Sequence, residues 1–379
     1  MKHHVNRSGG VASWLRVGVA MAMGAAMARG MQGCEQKKNP PVDSAPKTSE
    51  SPSSHGASTT PAEAKPSASA DPVKGDAPKV RPLRIGVIAK SQSNPVFQAA
   101  RTGALAAGTE LSKKYGVKID VIWQTPTNED AQKQGQYIEQ LVGQGVDAIS
   151  VSCTDGDVLK LPIDSAVDRG VLVVTFDSDS PKSKRFAYYG IDDEACGREV
   201  MKQLAKAMGD TGGPIAILGG NQTAPNLQAR IRGVKQELDS LKAKGFTLKD
   251  VYYHKETAPD AAAMVQQVQT ANPDIAGWAM VGGWPLFTKD ALTGVAGRAK
   301  VVSVDTLREE LAYVAKGEVQ ALIGQDCYGW GYESVRIAVE KLLEGKDPAS
   351  PVVHFDLQIV TKDNVKEYEG IWDRWLEQK

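Results

Sequence analysis

Leu83-Arg84-Ile85-Gly86-Val87-Ile88-Ala89-Lys90-Ser91-Gln92-Ser93-Asn94-Pro95-Val96-Phe97 is the stretch that decides the fold. Its apolar run, 85–89, has the pattern of a parallel strand buried on both faces. Lys90, Ser91, Ser93 and Asn94 follow as a polar cluster, broken by Pro95. Phe97, Ala100, Ala104, Leu105 and Ala107 then fall near one face of a helix. Strand, polar loop and helix make half of a βαβ unit, and in open parallel sheets the loop at a strand's carboxyl end is where ligands sit. Taken alone, this is also an ordinary strand-to-helix turn.

The rest of the chain repeats the pattern. Strands are expected at 85–89, 119–123, 148–152, 171–176, 187–190, 215–218, 248–254, 277–281, 300–304 and 321–324. Helical patterns lie between most of them, at 130–144, 159–169, 194–208, 226–243, 259–270, 286–294, 307–317 and 331–344. Such alternation predicts an α/β protein with parallel sheets and right-handed crossovers. Near Asp192 a second set of units begins, so two similar doubly wound lobes are expected.

The 379 residues carry no formal net charge, which gives no support to nucleic acid or an acidic surface as partner. Residues 1–16 hold Lys2, Arg7 and Arg16, and 17–28 are small and apolar. This resembles a secretory signal and is too short for a comfortable membrane span. Cleavage after Ala26-Met27-Ala28 is one reading; the other is the lipobox-like Met31-Gln32-Gly33-Cys34, with Cys34 lipidated after removal of a 1–33 signal peptide. Residues 34–82 are rich in Pro, Ser, Ala, Thr and Lys and read as a disordered tether, spanning roughly 40 Å root mean square. A tether behind a lipidated Cys34 favours the lipoprotein reading, hence export to the periplasm or cell surface with a membrane anchor. Cys153, Cys196 and Cys327 lack metal-ligand spacing; export allows one disulfide among them without indicating which.

No phosphate-binding glycine loop, HExxH or GxSxG is present, so the sequence gives no support to an enzyme, a metal or a cofactor. Polar residues instead end the strands: Lys90 and Asn94, Thr154-Asp155, Asp177, Gly282-Gly283-Trp284, Asp305 and Gln325, with Arg230 on a helix after 215–218. Parallel topology brings strand ends together. Carboxylates beside Arg and Lys, with amides and an aromatic face, suit vicinal hydroxyls. The plain alternatives are turn and helix caps for Asp177 and Asp305, a solvated face for Arg230 and Lys90, an Asn-Pro turn for Asn94, and core packing for Phe97 and Trp284.

In order along the chain, 85–97, 147–155, 170–177, Asn226-Leu227-Gln228-Ala229-Arg230-Ile231-Arg232-Gly233, Val302-Ser303-Val304-Asp305 and Ile323-Gly324-Gln325 resemble the type I periplasmic sugar-binding proteins of the ribose- and allose-binding family. The resemblance implies two lobes joined by a three-segment hinge, closing over one monosaccharide: 83–191 plus 326–354, and 192–325 plus 355–379. Lys90, Asn94, Asp177, Arg230, Asp305 and Gln325 would hold its hydroxyls, and Phe97 would stack on it. Gly282-Gly283 stand where the family has Asn-Asp, so Trp284 would serve there as a replacement stacking face. Ser178 stands where ribose binders carry Arg. The implied partners are a sugar or other small polar ligand, such as a nucleoside or an autoinducer, and an ABC transporter permease or a membrane sensor; a monomer is expected. A repressor sharing these lobes would need an N-terminal helix-turn-helix, and 1–82 reads as leader and tether instead.

Overall fold

A computed structural model describes residues 81–377. The expected leader, Cys34 and all but the last two residues of the tether lie outside the described residues. The chain builds two sheets. The first contains β1 (Leu83–Ile88), β2 (Ile119–Trp123), β3 (Ala148–Val151), β4 (Leu172–Phe176), β5 (Ala187–Gly190) and the late β11 (Val352–His354), ordered β11-β5-β4-β3-β1-β2 and parallel throughout. The second contains β6 (Gly213–Gly220), β7 (Phe246–Tyr253), β8 (Gly277–Met280), β9 (Lys300–Val304), β10 (Ala321–Gly324) and β12 (Gln358–Val360), ordered β12-β10-β9-β8-β6-β7. Only β12 runs antiparallel to its neighbour. The first five strands of each sheet thus share one order, so β4 and β9 occupy equivalent places. Order reverses beside β1 and beside β6, the place where doubly wound sheets open a crevice at their carboxyl ends.

Burial explains the strand sequences. β1 becomes fully buried from Ile85 and β3 is buried throughout, because helices cover both faces. In the first lobe, one face carries α1 (Val96–Tyr115) and α8 (Cys327–Glu344), the other α2 (Ala131–Gly143) and α3 (Gly156–Asp168). In the second lobe, α4 (Asp193–Met208) and α5 (Pro225–Ser240) cover one face. The other face is covered by α6 (Ala258–Ala271), α7 (Arg308–Lys316) and the loop between β8 and β9. In both lobes one helix pair crosses at glycines. A Cβ at Gly331 would overlap the Ala100 carbonyl, and one at Gly197 would overlap that of Arg230. Among the described residues no helix is long and apolar enough to cross a membrane.

The chain passes between the sheets after β5, after β10, and between β11 and β12. Two expectations need correction. The helix expected at 286–294 is a single 3-10 turn, Trp284–Phe287; Thr288 is extended and Asp290 left-handed (φ 60°), which ends it. The expected placement of 355–379 in the second lobe fails at its end. α9 (Val365–Tyr368) packs there, but α10 (Ile371–Glu377) returns to the first lobe. Trp372 and Trp375, three residues apart on that helix, cover apolar surface beside α1 and α8, and Trp375 stacks on Tyr328. Arg308 on α7 pairs with Asp373 on α10. Cys153, Cys196 and Cys327 are free, buried thiols in three different core clusters, so none of them forms a disulfide.

Candidate functional site

Asp177 ends β4 and Asp305 ends β9, the equivalent strands of the two sheets. Both carry a left-handed backbone, φ 57° and 79°. Each backbone amide donates to the neighbouring strand, Asp177 to the Tyr189 carbonyl on β5 at 3.0 Å and Asp305 to that of Ile323 on β10 at 2.9 Å. A non-glycine residue in this region is uncommon, though Asp tolerates it better than most. The turn it makes aims each carboxylate off the strand end.

These two carboxylates belong to one buried polar cluster, in two hydrogen-bonded sets that the charge of Arg230 couples. Ser152 Oγ donates to Asp177 Oδ2 at 2.7 Å, and Asn226 Nδ2 donates to Asp177 Oδ1 at 3.2 Å. Asn226 sits in the first turn of α5, whose N-terminal end favours a facing carboxylate. Its Oδ1 accepts from Lys90 Nζ at 3.4 Å. Lys90 and Asp177 lie in the first lobe and Asn226 in the second, so the lobes meet here directly. One helical turn on from Asn226, Arg230 donates from Nε to Asp193 Oδ1 (2.8 Å), from Nη1 to the Val281 carbonyl (3.0 Å) and from Nη2 to Gln325 Oε1 (2.8 Å). Gln325 Nε2 donates to Asp305 Oδ1 at 2.7 Å, and the Gly283 amide donates to Asp305 Oδ2 at 3.4 Å.

Burial sets the electrostatics. Lys90 is 3% exposed; burial alone would lower its pKa, but Glu256, Glu129 and Asp177 outweigh it and hold the ammonium above the usual lysine range. Arg230 is held charged in the same way: burial opposes the charge, and Asp193 heads the groups that restore it. Burial raises Asp193 to about 6 against the pull of Arg230. Asp305 is also raised by burial, opposed by Arg230 and Gln325.

Lys90, Asp177, Arg230, Asp305 and Gln325 are therefore brought into one cluster. Asn94 lies nearby in sequence but serves the start of α1. Its Oδ1 accepts from the Val96 amide at 3.2 Å and its carbonyl from the Phe97 amide at 3.2 Å. Phe97 is buried, 6.0 Å from the Trp330 ring and tilted 39° to it, within the first lobe's core. Trp284 is buried in the second lobe's core, edge-on to His254 at 5.1 Å. Gly282 and Gly220 make room for it: a Cβ at Gly220 would come within 2.6 Å of the indole, and one at Gly282 would overlap it. Of the Gly282-Gly283 pair only Gly282 accommodates the tryptophan; a Cβ at Gly283 would meet Glu310 and Phe287.

Sequence reasoning did not single out Asn226, although it is four residues before Arg230 and so on the same helix face. Asp193, at the start of α4, also suits an ordinary helix-terminal acid. The buried hydroxyls Thr154 Oγ1 and Ser178 Oγ have no hydrogen-bond partner among the described residues. They sit beside the cluster, at the end of β3 and directly after Asp177. Unpaired buried hydroxyls cost free energy unless something supplies their bonds.

The chain is 27% identical over 293 residues to the D-ribose/D-allose-binding protein of Pseudomonas aeruginosa, covering 73% of this chain and 88% of that protein. It is 24% identical over 253 residues to the ribose import binding protein of Bacillus subtilis, covering 64% and 75%. The structure superposes with TM-score 0.68 and 26% identity on an ABC transporter solute-binding protein from Burkholderia graminis, solved with D-arabinose, over 76% of this chain and 97% of that one. The periplasmic binding protein domain model matches residues 85–347, and the chain belongs to that family.

Proposed function

We propose that this protein captures a monosaccharide or a similar small polyol between its lobes and delivers it to an ABC importer. The observation that carries this reading is the pair Asp177 and Asp305. Equivalent strand ends of two lobes present carboxylates into one buried cluster with Lys90 and Arg230. An entering polyol would replace the Asn226 amide on Asp177 and satisfy Thr154 and Ser178. Two vicinal hydroxyls donate to one carboxylate, while Lys90 and Arg230 donate to ring oxygens. Lobe closure around the ligand then creates the surface that a permease reads. The related proteins named above are ribose- and allose-binding, which supports a sugar as ligand. The role is binding and not turnover.

Thermal-shift and calorimetric titration against a panel of pentoses and hexoses test it. Charge-assisted hydrogen bonds contribute about 1.5–3 kcal/mol each. Asp177→Asn and Asp305→Asn should therefore each weaken sugar binding by roughly 10- to 100-fold. Asn keeps the shape and tolerates the left-handed backbone, so the variants should stay folded. Sugar-dependent shifts of equal size in wild type and both variants would remove the site.

We also propose that the mature protein is held at a membrane through a lipid on Cys34. The support is the lipobox-like Met31-Gln32-Gly33-Cys34 followed by the polar tether. Metabolic labelling with a radioactive fatty acid should mark the wild type and not Cys34→Ser; equal labelling of both excludes this anchor.

A further inference from the structure

Outside the sugar cluster, an acid from each lobe meets the other at the rim of the cleft. Glu129 follows β2 in the first lobe and Glu256 follows β7 in the second, and both line a groove of about 850 Å³ between the lobes. Their side chains are hydrogen-bonded to each other. Asn221, after β6, fastens both: its side chain bonds to Glu129, and its backbone amide donates to Glu256 Oε1 at 3.1 Å. Glu129 Oε1 is shut off from solvent and has no donor among the described residues. An ionised carboxylate only accepts, so two carboxyl groups bond to each other only when one of them holds a proton. Burial and the charge of Glu256 favour that proton on Glu129 and hold its carboxyl well above the usual range.

Other charges face the pair from each neighbouring element. Lys90, buried after β1, pulls Glu129 toward ionisation, but less than burial and Glu256 push the other way. Lys255 is exposed, so solvent screens it. Asp130 and Lys133 are exposed at the start of α2; Asp130 accepts the Lys133 amide, and the Lys133 ammonium lies over the Tyr137 ring. Asp260, exposed at the start of α6, accepts from the Thr257 hydroxyl. Burial keeps His254 below the usual imidazole range, so its ring is neutral at pH 6.5 and above.

We infer that Glu129 and Glu256 form a shared-proton clasp across the mouth of the cleft, which draws the lobes together while it holds the proton and lets them part when it loses it. The clasp acts on closure whatever ligand the cleft takes. When the lobes separate, the two acids part and Glu129 returns toward the ordinary Glu value of about 4.3. Closure therefore takes up a proton between that value and the raised one. The clasp contributes fully below the ordinary value and is lost as pH rises through the raised one. Within that window, closure weakens by up to about tenfold per pH unit.

The test is the interlobe distance of the full chain without sugar, from pH 5 to 8. Spin labels at Gln132→Cys on α2 and Gln267→Cys on α6, both exposed, report it on a Cys34→Ser background. In wild type the ratio of short to long distances should fall about tenfold or more over this range. Glu129→Gln keeps a donor toward Glu256 without a proton to lose, so its ratio should stay near the wild-type value at pH 5. Glu256→Ala removes the clasp and should give a low ratio at every pH. Thermal melting checks that both variants fold, and the wild-type profile needs neither. A smaller fall in wild type overturns the inference. So does a fall that Glu129→Gln shows equally, or a wild-type slope retained by Glu256→Ala. Sugar titrations decide the capture reading separately, since no sugar enters this measurement.

Discussion

Asp193 shows how a single buried group couples acidity to the site. Its carboxyl is raised to about 6, so between the ordinary Asp value and about 6 the folded state binds a proton that the unfolded chain has released. Its contribution to stability is full below the ordinary value and is lost as pH rises through about 6. Urea melts from pH 4 to 7 should show a component that weakens with rising pH, and Asp193→Asn should remove that component. In wild type above pH 6 the ionised carboxylate grips Arg230 and holds its fork toward Gln325. Four of the residues in the cluster were legible because parallel strands must end somewhere and Asp or Gln at such ends is conspicuous: Lys90, Asp177, Asp305 and Gln325. Arg230 was placed beside them by its helix after 215–218, and the family pattern weighed against its being a solvated face. Glu129 and Asp193 were not: an acid in a polar loop or in a helix's first turn looks the same whether or not the fold buries it. Asn94 and Phe97 show the converse, since the residues that begin a helix and fill a core also follow a strand end.

Helix pairing is decided by single hydrogen atoms. Gly197 and Gly233 let α4 and α5 touch backbone to backbone, as Gly103 and Gly331 do for α1 and α8. Side chains of any size would spread these pairs, and α5 carries both Asn226 and Arg230. Gly197→Ala should therefore cost about 1–3 kcal/mol in denaturant melts and also weaken sugar binding, because Arg230 moves. Gly331→Ala should carry a comparable stability cost with a smaller effect on binding. Strands and most helices could be read from apolar periodicity, whereas the turn at Trp284–Phe287 could not. Ala291, Leu292 and Val295 are spaced as on one helix face, yet they are buried by a loop folded over the sheet and tied to Tyr313 Oη, which donates to the Thr288 carbonyl at 2.6 Å.

At the scale of the molecule, the strap made by α9 and α10 joins the lobes a fourth time. Val365 is fixed in one core and Trp372 in the other, with Gly370 between them. Trp372→Ala should lower stability by about 3–5 kcal/mol, visible as an earlier thermal transition. Ten of the twelve strands and the order of the lobes followed from the sequence pattern; the short β11 and β12 and this return did not, because a short end has no periodic partner to announce where it lands. The strap also dictates an order of events during synthesis. By Gly324 the second lobe has five of its six strands in hand, whereas the first still waits for α8, β11 and the two tryptophans. A ribosome that has made the first half of the chain has therefore made no finished domain. The part that begins first is completed last.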